Sequence, residues 1–520
     1  MPMFTIIGAN KSISETMQTS MDIENGMLIS DAIRKAGMPF SMPCGGRGTC
    51  GKCAVWVRGA VSAADEKEQA KLLSLQHATL PQEGFSLRTA CLCRIQGDCT
   101  VLLQEGGLSA IQAQGIGELP SYDENEPALG MAIDVGTTTI ALRLYDLAQG
   151  MLLAEVSGLN AQGAYGADVL SRISYANEHG HQVLHEAITR QLSAMMQAAL
   201  DKASADATLV RRVVITGNTT MLHFVAGLDP QGIGVAPFIP QSLFGEETRA
   251  DRLFLLLPAE CMLYLPRCIS AYVGADIVCG MLALRLCDEP GARLLLDVGT
   301  NGEMVLHTGE ETLCCATAAG PVFEGAHISM GMGAQEGAIC KVRTEDGQIT
   351  YETIGNAKPI GLCGTGLVSA VRALLETEDI DPTGAIEKDT LWIGDSGIGL
   401  SGRDVRELQM AKAAIAAGVE TLLHTANLMP EDADCIFLAG GMGSAMDAED
   451  AVHIGLLPEC CLQRTQAVGN VALTGAAAML FSREHRACAK ASAERTEEVQ
   501  LSASAYFQDK YIETMMFPGE

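Results

Sequence analysis

Leu294-Leu-Leu-Asp-Val-Gly-Thr-Asn-Gly-Glu-Met-Val305 repeats the pattern of Met131-Ala-Ile-Asp-Val-Gly-Thr-Thr-Thr-Ile-Ala-Leu142. Each reads as an apolar strand, a tight glycine turn and a second strand. A strand that ends in Asp and turns through Gly-Thr suits a nucleotide phosphate chain. Asp134 and Asp297 would orient Mg2+ through water. The glycine lets phosphate approach the backbone, and the threonine hydroxyl and N–H groups bond its oxygens. Two such hairpins face to face would clamp the phosphates of ATP. A third element, Ile436-Phe-Leu-Ala-Gly440-Gly441-Met-Gly443-Ser444, is a strand running into a glycine-rich turn on which adenosine could lie flat. One Asp-x-Gly-Thr is a weak signal; two copies followed by this turn are specific. The expected nucleotide contacts are Gly136, Thr137, Thr138, Gly299, Thr300, Asn301, Gly302, Gly440, Gly441 and Gly443.

The duplication implies two related lobes around a cleft, residues 130–290 and 291–485, with a tail at 486–520. Helical spacing is read at Val183–Lys202, Leu367–Glu376 and Val405–Thr425, and in the tail a strand at Glu498–Leu501 and a helix at Tyr506–Met516. Between the hairpins, Tyr272-Val-Gly274-Ala-Asp276 stands where a helix should begin. Asp276 is either a general base pointing into the cleft or a helix N-cap carboxylate. Val213-Val-Ile-Thr-Gly217-Asn218-Thr219-Thr220 reads as a strand leading into a capped helix. Gly320-Pro-Val-Phe-Glu324-Gly and Gly361-Leu-Cys-Gly364-Thr365-Gly366 are further glycine-rich turns.

Upstream lies a different chemistry. Cys44-Gly-Gly-Arg-Gly-Thr-Cys50-Gly-Lys-Cys53 brings three thiols into one loop, as a [2Fe–2S] cluster requires of its ligands. Gly45, Gly46, Gly48 and Gly51 let the backbone wrap closely so that its N–H groups can face sulfur. A zinc site would prefer two paired-cysteine motifs. The fourth ligand lies distant in sequence. Cys91 and Cys93 are both candidates and Cys99 a weaker one; Cys91, following Leu87-Arg-Thr-Ala, is preferred. Residues 1–104 form one module, with strands at Phe4–Ile7, Ala54–Val57 and Cys99–Leu103 and helices at Met27–Ala36 and Glu66–Leu75. Residues 105–129, rich in Gly, Pro and acid, read as a linker.

Composition narrows the function. A net charge of −28 excludes a nucleic-acid surface, which needs clustered Lys and Arg. Residues 1–104 carry ten Lys/Arg against nine Asp/Glu, so the excess acid lies downstream. The longest apolar runs are far too short to span a bilayer, and the N-terminus lacks the pattern of a signal peptide, so a cytoplasmic protein is expected. In that compartment the eighteen cysteines are not a disulfide framework; outside the cluster they read as small buried apolar side chains.

The cysteine loop resembles the ferredoxins, its five-residue first gap being closer to the adrenodoxin branch. The paired hairpins resemble the acetate-and-sugar-kinase, heat-shock-chaperone and actin (ASKHA) superfamily. Together with Gly166-Ala-Asp168-Val-Leu-Ser-Arg172-Ile, Gly217-Asn-Thr-Thr-Met-Leu-His223, Gly320–Gly325 and Phe507–Pro518, the chain resembles the reductive activators of corrinoid proteins over nearly its whole length. The resemblance implies an α/β chain with an α+β start: a β-grasp ferredoxin-like module, then a duplicated two-lobed actin-like ATPase. It also implies the activity: ATP-dependent return of one electron from the cluster to Co(II) of a corrinoid protein, restoring Co(I) in a methyltransferase system. The donor of that electron is unassigned, and a homodimer is expected by resemblance. The rivals are an ASKHA small-molecule kinase with an appended ferredoxin, an ATP-driven electron activator of another enzyme, and a non-catalytic electron-transfer protein.

Overall fold

The computed structural model describes residues 2–10, 15–36, 40, 42, 48, 53–66, 68–69, 72, 84–103, 128–254, 256–345, 347–443 and 445–519. Cys44, Cys50, most of the helix expected at 66–75 and the linker through residue 127 lie outside them.

The N-terminal module is a five-stranded sheet with a helix across it. Its elements are β1 (Met3–Asn10), β2 (Glu15–Asp22), α1 (Ile29–Lys35), β3 (Ala54–Val61), β4 (Ser86–Thr89) and β5 (Ile95–Leu103), in sheet order β2-β1-β5-β3-β4. β1 runs parallel to β5 and every other pairing is antiparallel. Helix α1 buries Ile29, Ala32 and Ile33, the i, i+3, i+4 stripe, against Phe4, Ile6, Val55 and Val101. This is the β-grasp arrangement expected of the module.

The rest is a repeated α/β unit. In the first lobe, β6 (Leu129–Val135), β7 (Thr139–Asp146) and β8 (Met151–Leu159) form an antiparallel meander. Helices α2 (Val169–His179) and α3 (Gln182–Ala203) follow, then β9 (Val210–Gly217), parallel to β6, and α4 (Thr219–Ala226). Strands β10 (Glu247–Arg249) and β11 (Met262–Tyr264) complete the order β10-β11-β9-β6-β7-β8, and α5 (Ala275–Ala283) closes the lobe. The second lobe repeats the plan. β12 (Ala292–Val298), β13 (Gly302–His307) and β14 (Thr312–Thr317) form its meander. An insert follows, with β15 (Ala338–Glu345), β16 (Gln348–Thr353), β17 (Gly361–Leu362), α6 (Gly364–Glu376), the short pair β18 (Leu391–Trp392) and β19 (Gly399–Leu400), and α7 (Gly402–Thr425). Strands β20 (Ala433–Ala439) and β21 (Thr465–Ala467) then add in parallel to β12. Helices α8 (Val471–Phe481) and α9 (Arg483–Arg495) precede β22 (Glu497–Glu498), which joins the edge of β14. The strand expected at 498–501 is therefore only the pair 497–498; Leu501 is buried and begins a 3₁₀ turn instead.

Helices α5 and α8 pack against each other between the two sheets. Val278 and Cys279 of α5 share a core with Leu473, Ala476 and Leu480 of α8 and with Ala132 and Val214 of the first sheet. Ile277 and Met281, on the other side of α5, meet Leu295, Val305 and Phe437 of the second sheet. The crossing is close because α8 carries Gly475, where a Cβ would stand 2.0 Å from the Cys279 carbonyl oxygen. Both lobes thus hang on one helix pair.

The chain ends in α10 (Ala505–Glu513), which lies on α7, with Tyr506 stacked on His424 at 3.9 Å. Beyond it, the buried Lys412 of α7 donates to the Met516 carbonyl, and its ammonium lies 5.2 Å from the centre of the Phe517 ring. Burial pulls the Lys412 pKa down to about 8. Lys412→Ala should release this tail and destabilise the protein by about 2 kcal/mol, the order of a lost buried hydrogen bond with its packing. Urea melts, with limited proteolysis cutting earliest after residue 500, would check it.

Candidate nucleotide cleft and cluster module

The duplicated meanders aim their turns at one place. β6 delivers Asp134 and β12 delivers Asp297; each is half-buried near the end of its strand. Asp134 accepts a 2.7 Å hydrogen bond from Nδ2 of Asn470, whose Oδ1 caps α8 through the Leu473 N–H. One side chain from the second half of the chain therefore ties α8 to the first phosphate turn. Asp276 sits in the first turn of α5, whose N-cap is Gly274, so it is not the cap that one sequence reading allowed. Gly274 has to be glycine: a Cβ there would lie 2.4 Å from Asn218 Cα and 2.6 Å from the Asp276 carboxylate. Glu303 stands opposite Asp297 in the β12–β13 register and adds a fourth carboxyl, itself buried.

These groups share one low-dielectric pocket. Burial raises the Asp134 pKa to about 6 against the pull of Asn470. Burial first, then the charges of Asp297 and Asp134, push Asp276 well above the carboxylate range; burial and Asp134 do the same to Asp297, and burial, Asp276 and Asp297 to Glu303. Each folded-state value lies above the unfolded one, so the folded chain holds more protons once the pH exceeds about 4. The linkage slope is then negative. This stability is fully present below the ordinary carboxylate range and is lost as the pH rises through about 6 and beyond. In a chelator, thermal melting without nucleotide should fall from pH 5 to pH 8, and Mg-ATP should raise it more at pH 8 than at pH 6.

The two turns are not identical. Pairing in the first hairpin resumes at Val135–Ile140 and in the second at Val298–Gly302, so the first turn is one residue longer. Thr137, which sequence alignment equates with Thr300, faces its own lobe. Its hydroxyl accepts from Asn218 Nδ2 at 3.1 Å and its carbonyl from the buried Arg172 guanidinium at 2.5 Å. Thr138 is the one that matches Thr300: both hydroxyls donate to the Glu324 carboxylate, at 2.6 Å each. Gly440 is required beside Asp297, because its φ is +85° and a Cβ would lie 2.3 Å from Asp297 Oδ1. Gly441 borders open space and Gly443 lies at ordinary contact from Val298. Asn301 donates to Glu303 at 3.3 Å, whereas Gly302 starts β13 and its missing side chain is demanded by Thr317 and Ile415. Gly364 likewise serves packing, since a Cβ would collide with the Phe323 carbonyl. Gly136 closes tightly on the Thr139 carbonyl, and Gly299 has room.

In the N-terminal module the Cys53 and Cys91 sulfurs are 3.2 Å apart. The Ala90 N–H donates to the Cys53 carbonyl, which sets the two segments side by side. Glu68, itself buried, grips Arg88 through both carboxylate oxygens at 3.0 and 2.8 Å and accepts the Thr89 N–H, fixing the strand that delivers Cys91. Cys93 points into the core, where burial pushes its thiol up to about 11, and Cys99 rises to about 12 for the same reason. The module touches the first lobe. The Met42 N–H donates to the Gly163 carbonyl, and Arg34 donates to the Ala164 carbonyl while lying 5.4 Å from the Tyr165 ring centre. That turn is held in place by Asn160, which donates to Gly136 and Thr138 carbonyls in the first phosphate turn. Among the described residues no three acidic, histidine or cysteine side chains are disposed to hold a metal ion directly, and no helix is long and apolar enough to cross a membrane.

Residues 14–96 match a 2Fe-2S iron–sulfur cluster binding domain, residues 129–289 the RACo middle region and residues 291–520 the C-terminal ASKHA domain of RACo. A corrinoid activation enzyme of Eubacterium limosum, RamQ, is 31% identical over 96% of this chain and 98% of its own length. The chain belongs to the corrinoid activation enzyme family. A member from Methanosarcina barkeri, a reductase of a Co(II) methylated amine-specific corrinoid protein, is 28% identical over 63% of this chain and 66% of its own. Among solved structures, a reductive activator for a corrinoid, iron–sulfur protein superposes with a TM-score of 0.69 at 26% identity, covering 99% of this chain and 98% of that one. Within this family the fold is a ferredoxin-type module followed by an ASKHA domain, and the module is one that holds an iron–sulfur cluster.

Proposed function

We propose that the chain uses ATP to drive one electron from a [2Fe–2S] cluster to Co(II) of a corrinoid protein, restoring Co(I). The observation that carries this reading is the turn 160–165. It is bonded on one side to the first phosphate turn and on the other to the cluster module. The work is uphill: a cluster near −400 mV facing a cobalt ~200 mV more negative lacks roughly 4.6 kcal/mol for one electron. Nucleotide can supply this only by favouring one of two states of the complex, and a cleft hinged on α5 and α8 offers two such states.

Cys44, Cys50, Cys53 and Cys91 hold the cluster, which supplies one-electron chemistry when bound. Asp134, Asp276 and Asp297 fit Mg2+ as a missing countercharge, since each is half-buried and raises its neighbours' pKa; they would hold it through water. Thr138, Thr300 and the N–H groups of the two turns bind phosphate, and Gly441 leaves the open floor for adenosine. Asp276 accepts a proton from the attacking water. The corrinoid protein docks from solution, in the cytoplasm.

The test is anaerobic cobalt spectroscopy. A Co(II) corrinoid protein is mixed with the reduced chain, with and without Mg-ATP. Appearance of the Co(I) absorption only with Mg-ATP supports the proposal. Phosphorylation of a sugar or acid without any cobalt change would favour the kinase reading.

A further inference from the structure

Glu324 lies on the short turn Pro321–Glu324, entered and left through glycines of positive φ, Gly320 and Gly325. Its two carboxylate oxygens take different partners. Oε2 accepts from Thr138 of the first lobe and Oε1 from Thr300 of the second, both at 2.6 Å. These hydroxyls are the ones that the matched turns present to the cleft. The carboxylate is an anion held by donors suited to another anion, and each hydroxyl has a single proton to give. The charge of the buried Arg172, which braces the first turn through the Thr137 carbonyl, also interacts with Glu324.

We propose that Glu324 is a clasp across the cleft: in the nucleotide-free protein it bridges the two phosphate turns, and the nucleotide phosphates must displace it to bind. This inference rests on the nucleotide reading above and adds to it a competitor built into the chain. Displacement would reach beyond the two turns. Glu324 shares its turn with Phe323, whose carbonyl abuts Gly364 at the start of α6, so exchange of carboxylate for phosphate acts on the second-lobe insert as well as on the turns.

Glu324→Gln keeps the shape and removes the charge; Glu324→Asp keeps the charge and is one methylene too short to reach both hydroxyls. ADP affinity and backbone hydrogen exchange are measured on the full chain with its cluster. Loss of two charge-assisted bonds from the free state should tighten ADP binding by Glu324→Gln about tenfold. Without nucleotide, exchange in residues 136–139 and 299–302 should quicken in both variants, and saturating ADP should bring it back to the wild-type level. Unchanged exchange without nucleotide in both variants would overturn the clasp, as would ADP binding that is no tighter in Glu324→Gln while ATP turnover falls. A wild-type chain that ignores ADP would instead sink the nucleotide reading, and the nucleotide-free exchange would still decide the clasp.

Discussion

Asp134→Ala should leave the chain able to take an electron and unable to pass it on. ATP turnover is expected to fall by about 10²- to 10³-fold, the range for removing one preorganised group that stabilises phosphoryl transfer. The cluster spectrum and its reduction by dithionite should match the wild type, because Asp134 is on β6 and no described contact joins it to the module. Two effects combine in this variant. The cleft loses the carboxylate proposed to orient the cation, and Asn470 loses its acceptor. Asp134→Asn separates them: it keeps the shape beside Asn470 and removes the charge. If turnover falls alike in both, the charge matters; if only the alanine variant is slow, the α8 tether matters. Formation of Co(I) at the wild-type rate by Asp134→Ala would remove ATP from the mechanism.

The architecture was legible because its signals are local and repeated. Two Asp-Val-Gly-Thr turns and one glycine-rich strand end already imply two lobes, and the sheets carry those strands side by side, Asp134 opposite Thr216 and Asp297 opposite Ala439. Glu303 was also within reach, since hairpin pairing alone sets it across from Asp297. The offset between Thr137 and Thr138 was not. A linear alignment sees one more residue in the first turn only after the strands are paired. Asn470 gives no local sign of its role, because its partner is 336 residues away and meets it only when α8 crosses to the first sheet. The bridging role of Glu324 is hidden in the same way: its turn reads as ordinary glycine punctuation until both lobes are folded around it. The cysteines divide along the same line. Their number is plain in the sequence, while which thiols face one another depends on how β4 ends.

Cys91→Ser should abolish a stable [2Fe–2S] cluster, and Cys93→Ser should retain it. The two residues are two positions apart and both buried, and they differ in what their sulfurs meet. The Cys91 sulfur lies 3.2 Å from that of Cys53, on a segment pinned by the Ala90 hydrogen bond and by Glu68 through Arg88 and Thr89. The Cys93 thiol is turned into the core, where burial disfavours the thiolate that iron needs. Acid-labile sulfide and the visible absorption of anaerobically purified protein would measure the outcome, with the EPR signal of the reduced cluster as a second readout. Glu68→Gln should fall between: it leaves every sulfur in place but weakens the grip on Arg88, so the cluster should assemble and be lost faster to a chelator. A Cys93→Ser protein without a cluster, beside a Cys91→Ser protein that keeps one, would reverse the assignment. Loss in both would mean that the serine at 93 damages the core, and Cys93→Ala, which removes the thiol without adding a buried hydroxyl, would then decide between them.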